Sequence, residues 1–398
     1  MKQDLSPIRE QQRIVSLDVM RGTAILGIFL VNMLSFHSPL LYIDPIEWWQ
    51  DSVDKGFYIF IDIFVQASFY PLFSMLFGYG LVIFRERVQN KNLSFTPIAI
   101  RRLFLLLIVG FIHAIFIWHG DILFNYALFG FLFLLFVKLS GRTLMILGNM
   151  VYLLPNLLLS ALLFLSMLIA PAEELSTYHP LLSAESIDRY QNGSYLEITI
   201  QRVADWTYTN NMFGLFMMLF TILPLFFIGG SAAKYKWLER IQACRRGLWI
   251  TLIISFLLGL SLKLLPYIWT NIGTNYIQDM FGGPLLAISY GLMIALFTEK
   301  QPLNKAFTLI SYVGRMSFSH YLLQSIIATL IFYSYGLGLY GETSVWVGTL
   351  LVFIIYLLQC IFSRLWFAHY HFGPAEWIWR SFTYFKRQPL RKQTKDVS

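Results

Sequence analysis

Arg21 and Asn32 stand eleven positions apart in the chain, and so do Arg102 and His113. Eleven residues of an α-helix come within about 20° of three full turns, so each pair shares one stripe roughly 16 Å long. Each stripe has a guanidinium at one end, suited to holding an anion, and an amide or imidazole at the other, suited to donating a hydrogen bond or moving a proton. Asp18 lies three positions before Arg21 and can pair with it, as a helix cap and anchor or as part of a site. Asp62 and Gln66 are one turn apart, and Asp121 follows Gly120 where it would also cap a helix. His119 is six positions from His113, about 240° around the helix, so the two do not face one ion and no metal site is expected. Cys244 and Cys360 have no metal spacing and exclude a disulfide scaffold.

The segments that carry these residues are too apolar for a soluble protein. The 398-residue chain is 57% hydrophobic and 13% charged, against about 25% charged in soluble domains. Ten apolar runs of spanning length cover residues 17–36, 57–84, 101–119, 121–138, 143–169, 210–233, 247–267, 280–298, 308–333 and 344–367. Lipid gives the backbone no partners and the alternation of a barrel strand is missing, so the expected class is an all-α polytopic membrane protein. Of the 30 lysines and arginines, only Lys55, Arg189, Arg202 and Lys263 fall on one side of these runs. The other 26 place both termini in the cytoplasm, and this topology accounts for the net charge of +8 without a nucleic-acid partner. The first run has no small-residue cleavage pattern after Ser35 and is expected to stay as a span.

Two outer segments, 37–56 and 171–208, mix aromatic and acidic residues and suit short helices at the interface, or a rim around an external site. The second divides a five-helix half, 1–170, from another, 209–398, that ends in a basic tail. Ionisable groups inside spans are costly and mark function or helix pairing. Asn32, Asp62, Gln66, His113, His119, Asp121 and Asn125 all fall at similar depth in the outer half, which predicts a water-filled polar cavity opening outward. His320, Tyr321, Gln324 and Gln359 are expected to join helices.

Five stretches resemble the bacterial YeiB family of membrane proteins, in order and over nearly the whole chain. They are SLDVMRGTAILGIFLVN (16–32), FYPLFSMLFGYG (69–80), RRLFLLLIVGFIHAIFIWHGDILFNYALFG (101–130), GRMSFSHYLLQS (314–325) and FGPAEWIWRSFTY (372–384). The N-terminal half of that family is similar to transmembrane acyltransferases such as heparan-α-glucosaminide N-acetyltransferase, which share an LDxxRG start and a VN step. The resemblance implies roles for Asp18, Arg21, Gly22 and Asn32, and for a histidine in the loop after the first span. His37 is the histidine there, at a shorter spacing than in the relative, and His113 is the competing base.

In an acyl transfer across the membrane, Arg21, Arg101 and Arg102 would hold the phosphates of a cytoplasmic acyl-CoA-type donor. His113 or His37 would deprotonate an acceptor, small molecule, glycan or lipid, with Asp62 or Asp121 orienting it. Asn32 would donate to the oxyanion. The expected location is the bacterial plasma membrane. The rival expectation is a transporter or lipid-handling protein in which Asp62 and His113 couple protons, with Pro71, Gly78, Gly80, Pro224, Gly229 and Gly230 breaking its helices. No Walker motif, dinucleotide fingerprint or GxSxG elbow occurs, so phosphoryl transfer, redox work and serine hydrolysis gain no support.

Overall fold

Leu17, Val19, Met20, Ala24, Ile25 and Phe29 are buried around most of the first helix, α1 (Val15–His37), leaving its Arg21–Asn32 stripe as the polar face, and it takes the centre of the bundle. The computed structural model describes residues 13–167, 169, 178–299 and 304–392. Of the residues used above, Lys2, Arg9, Glu173, Glu174, Lys300 and Lys395 lie outside that set.

After α1 come α2 (Pro45–Trp48) and α3 (Ser52–Phe64), capped by Asp44 and Asp51, whose carboxylates accept from backbone N–H groups of each first turn. Next are α4 (Phe69–Gln89), α5 (Phe95–Phe116), α6 (Leu123–Phe136) and α7 (Gly141–Ser166). The outer segment forms α8 (Pro180–Asn192) and α9 (Tyr195–Asn210), the latter opened by a Ser194–Glu197 capping box. The second half continues with α10 (Met212–Lys234), α11 (Ile241–Ile268), α12 (Ile272–Ile277), a π-helical turn at Gln278–Gly282 and α13 (Gly283–Thr298). It closes with α14 (Lys305–Arg315), α15 (Ser317–Phe332), α16 (Val345–His369) and α17 (Pro374–Tyr384). The described residues hold no strand beyond one isolated bridge, Tyr370 with Arg391.

Among the described residues, eight helical stretches are long and apolar enough to cross a bilayer, and the shorter apolar α6 and α15 occupy the fourth and ninth expected spans. Leu153, Leu154, Leu157 and Leu158 on α7, and Ile253, Ile254, Leu257 and Leu258 on α11, are exposed in the one-turn pattern of a lipid-facing stripe. The chain is an all-α polytopic membrane protein.

Two expected spans are divided. The second breaks at Val65–Ser68, where Ala67 takes a left-handed φ of 54°, and the ninth breaks at Met316 between α14 and α15. The helix breaks expected of a transporter at Gly78 and Gly229 are absent: α4 and α10 run through them. Those glycines sit where the two helices cross, and a Cβ on Gly78 would lie 2.1 Å from the Phe226 carbonyl oxygen. α1 packs against α4, α13, α14, α15 and α16, so it binds elements from both halves of the chain. Its contact with α14 is backbone to backbone: a Cβ on Gly314 would stand 1.7 Å from the Asp18 oxygen, and one on Gly22 would stand 2.2 Å from that of Ile310.

Candidate functional site

Between α1, α4, α5, α6, α15 and α17 lies a cavity of about 640 Å³, within the range of small-ligand sites. It opens at the basic end of the bundle, where Arg87 and Asn90 are exposed. Seven cationic side chains line it, Arg13, Arg21, Arg87, Lys91, Arg102, Arg315 and Arg380, against two acids, Asp18 and Glu376.

Both acids are engaged. Asp18 takes Arg13 at 3.3 Å and Arg21 at 3.4 Å. Glu376 accepts from the Phe318 and Ser319 N–H groups at 2.9 and 3.1 Å and from the Ser319 hydroxyl, capping α15. Several arginines are held by aromatic rings. The Arg102 guanidinium lies 3.9 Å from the Trp379 ring centroid and 4.9 Å from that of Phe84, while Arg315 lies 4.0 Å from Phe367 and Arg380 4.5 Å from Phe372. Cation–π contact fixes a guanidinium in place. Further in, Ile25, Ile28, Phe73, Leu76, Phe77 and Leu106 make the walls apolar, and Ile122, Tyr126 and Tyr321 close the floor. A charged mouth above an apolar shaft fits an anionic amphiphile.

The outer polar residues separate into networks instead of one chamber. His113 and Asp121 meet, with Nδ1 2.8 Å from Oδ2, both buried, and Asp121 also accepts from the Phe124 N–H at 2.8 Å as the expected cap. The His113 ring stands 5.3 Å from that of Tyr321, directly behind the cavity floor. Among the described residues its Nε2 has no partner, while the close Nδ1–Oδ2 contact is an ion-pair distance without the alignment of a hydrogen bond. Asp62 is elsewhere: it accepts from Tyr267 at 2.7 Å and from Gln278, on α11 and the π turn, beside a buried Lys263 that reaches Asp279 at 3.1 Å. The break after α3 turns Asp62 away from His113, so the expected Asp62–His113 partnership does not form. Asn125 donates to Asn210 at 2.9 Å. Gln324 donates to Gln359 at 2.9 Å, and His320 meets Ser363 at 2.6 Å, joining α15 to α16 as expected.

His37 is fully buried against Trp49 and Phe332, and neither ring nitrogen has a partner among the described residues. Arg101 bonds the Pro97 oxygen and lies over Phe385, outside the cavity that Arg21 and Arg102 line. Asn32 is partly exposed on the face of α1 that carries Arg21, Ile25 and Ile28. Among the described residues, polar groups expected to line one outward-opening cavity are instead drawn into pairing where the outer helices α8 and α9 dock onto the bundle. Tyr42 donates to Asp205 Oδ1 and Tyr190 to Asp205 Oδ2, each at 2.7 Å, and Tyr190 stacks on Tyr333. Burial and the Asp205 carboxylate push the Tyr190 hydroxyl well above its usual value, so it stays a proton donor. Sequence reasoning passed over Arg13, Arg87, Arg315 and Arg380 as topology charges and did not single out Ser35 or Asp205 as site residues. Ser35 is three residues beyond Asn32 on the Arg21 stripe, a signal that was available.

Fold and cavity together define a multi-span membrane protein with a basic, amphiphile-shaped pocket at one end. The sequence comparisons place it further. The chain is 35% identical to the uncharacterized protein YxaH of Bacillus subtilis (strain 168), covering 98% of this chain and 99% of the relative. It is 30% identical to the uncharacterized protein YeiB of Escherichia coli (strain K12), covering 94% and 96%. Residues 232–386 match the family described as "Protein of unknown function (DUF418)". The chain belongs to this YeiB-like family. No solved structure matches it. The matched segment contains Arg315, Glu376, Trp379 and Arg380, one whole wall of the cavity mouth.

Proposed function

We propose that the protein is an acyltransferase of the bacterial plasma membrane, moving an acyl group from a cytoplasmic acyl-CoA-type donor to a small-molecule, glycan or lipid acceptor on the outer side. The observation that carries this reading is the cavity: a ring of cations matches a phosphorylated carrier, and the apolar shaft beneath it matches the carrier's arm and acyl group. The resemblance of the first span to transmembrane acyltransferases points the same way, as does the proton-transfer pair behind the floor. With Asp121 on Nδ1, His113 presents a bare Nε2 as the base. His37 lacks any such orienting group, which favours His113 between the two.

Calorimetry on the detergent-solubilised protein with a non-hydrolysable acyl-CoA tests the reading. Saturable binding is expected, weakened by about 1.5 to 3 kcal/mol in Arg102→Ala, the range for a hydrogen bond to a charged group. His113→Ala should leave that affinity unchanged and abolish transfer. No saturable heat up to millimolar ligand, with wild type and Arg102→Ala alike, would instead favour a transporter or lipid-handling protein that uses the same pocket without covalent chemistry.

A further inference from the structure

At the outer end of α1, Ser35 Oγ lies 3.4 Å from His119 Nε2, and His119 Nδ1 lies 3.6 Å from Asp205 Oδ2 and 3.3 Å from the Tyr190 hydroxyl. The hydrogen-bond network assigns the protons. Tyr190 gives its one proton to Asp205, so its oxygen can only accept from His119, and Nδ1 must carry the ring proton. Nε2 is then a free lone pair facing the Ser35 hydroxyl. Asp205 is fixed as the carboxylate by Tyr42, Tyr190 and Gln201, which donates at 2.8 Å. Tyr42 ties Asp205 to the segment after α1 and Tyr190 ties it to α8, while Gln201 donates from within α9. Ser35 is the only partly exposed member of the group; His119 and Asp205 are 5% and 1% exposed. Nucleophile, base and orienting acid are recognised by geometry and not by sequence position, and resting distances are longer than working ones.

We propose that Ser35 is a nucleophile, activated by His119 with Asp205 as the positioning residue, that accepts an acyl group from an activated ester or thioester and passes it to a hydroxyl or amine. The source of that acyl group in the cell rests on the acyltransferase reading, since Arg21, Ile25 and Ile28 of the cavity lie on the same face of α1 as Asn32 and Ser35. In the first step Oγ bonds to the acyl carbon while its proton moves to Nε2. The carbon–sulfur or carbon–oxygen bond to the leaving group then breaks, and that group leaves with the proton from the imidazolium. In the second step the acceptor attacks the serine ester, its proton passes to Nε2 and on to Oγ, and the carbon–Oγ bond breaks. Asn32, one turn below Ser35, is the amide available to the carbonyl oxygen.

The purified full-length protein is treated with 4-nitrophenyl acetate and followed by nitrophenolate release, intact mass and peptide mapping. One acetyl group is expected, mapped to Ser35, missing from Ser35→Ala and His119→Gln and retained in Gly247→Ala, a position with nothing within 4 Å of its Cβ. Asp205→Asn should slow its formation about 100-fold or more and change its pH dependence. Thermal unfolding and acyl-CoA binding of each variant establish that it is folded. No acetyl group on Ser35 of the folded wild type, or acetylation that survives His119→Gln, overturns the proposal. Transfer from acyl-CoA that persists in Ser35→Ala overturns it while leaving the acyltransferase reading intact. Acetylation of Ser35 without any acyl-CoA binding upholds the relay and removes the donor cavity.

Discussion

Arg102 shows how a single residue can be read correctly for type and incompletely for setting. Its spacing from His113 was legible, and it lines the cavity with Arg21. Its clamp between Trp379 and Phe84 was not, because Trp379 comes from the far end of the chain. Asp62 is the opposite case. Depth along a helix could be counted from the sequence, but the left-handed turn at Ala67 that reorients α3 leaves no periodic signal. Gly80 offers a test at this scale. It lines the cavity, and a Cβ there would have only the Arg21 Nη2 within 4 Å, at 3.5 Å. Gly80→Leu should therefore fold with an unchanged unfolding temperature while binding long acyl carriers at least about 10-fold more weakly than short ones, a loss of about 1.4 kcal/mol. Equal losses for all chain lengths would show that the shaft does not receive the chain.

Among the elements, the helices were the most legible part, since runs of about 20 apolar residues admit no other structure in lipid. Their contacts were hidden because α1 is apolar or small outside its Arg21–Asn32 stripe, and nothing on those faces says which neighbour each one meets. The α1–α14 crossing depends on Gly22 and Gly314, which let two backbones touch. Gly314→Ala should cost about 1 to 3 kcal/mol or more by overpacking, seen as a lower unfolding temperature in detergent. Alanine at Gly247, which has nothing within 4 Å of its Cβ position, should leave that temperature unchanged or higher. Glu376 fastens α17 to the start of α15, and Glu376→Ala should cost about 0.5 to 2 kcal/mol as a lost cap. It should also weaken carrier binding, because α17 supplies Trp379 and Arg380 to the mouth.

For the whole molecule, the charge asymmetry gave the orientation, and the native cysteines can check it. Cys244 is exposed at the basic end of α11, while Cys360 is buried. In intact cells Cys244 should be shielded from a membrane-impermeant thiol reagent and react once the membrane is opened, whereas a cysteine placed at Asp51 should react at once. The reverse pattern would invert the molecule. The convergence of the outer polar residues was legible as depth and not as contact. Polar residues at one depth could equally line water or pair with one another, and the outer helices α8 and α9 decide for pairing.

The cavity is open at the basic end and Tyr321 stands at its floor, so electrolyte that enters at the mouth can follow the shaft toward Tyr321. A conducting vestibule carries the potential of the mouth side with it, so more of the membrane voltage falls across the plug of residues beyond the floor. Any proton or other charge exchanged across that plug is driven or opposed by about 2.3 kcal/mol per 100 mV. Turnover that moves net charge through the plug should therefore vary with membrane potential in sealed vesicles, and the protein would work as a small electrical device as well as a chemical one.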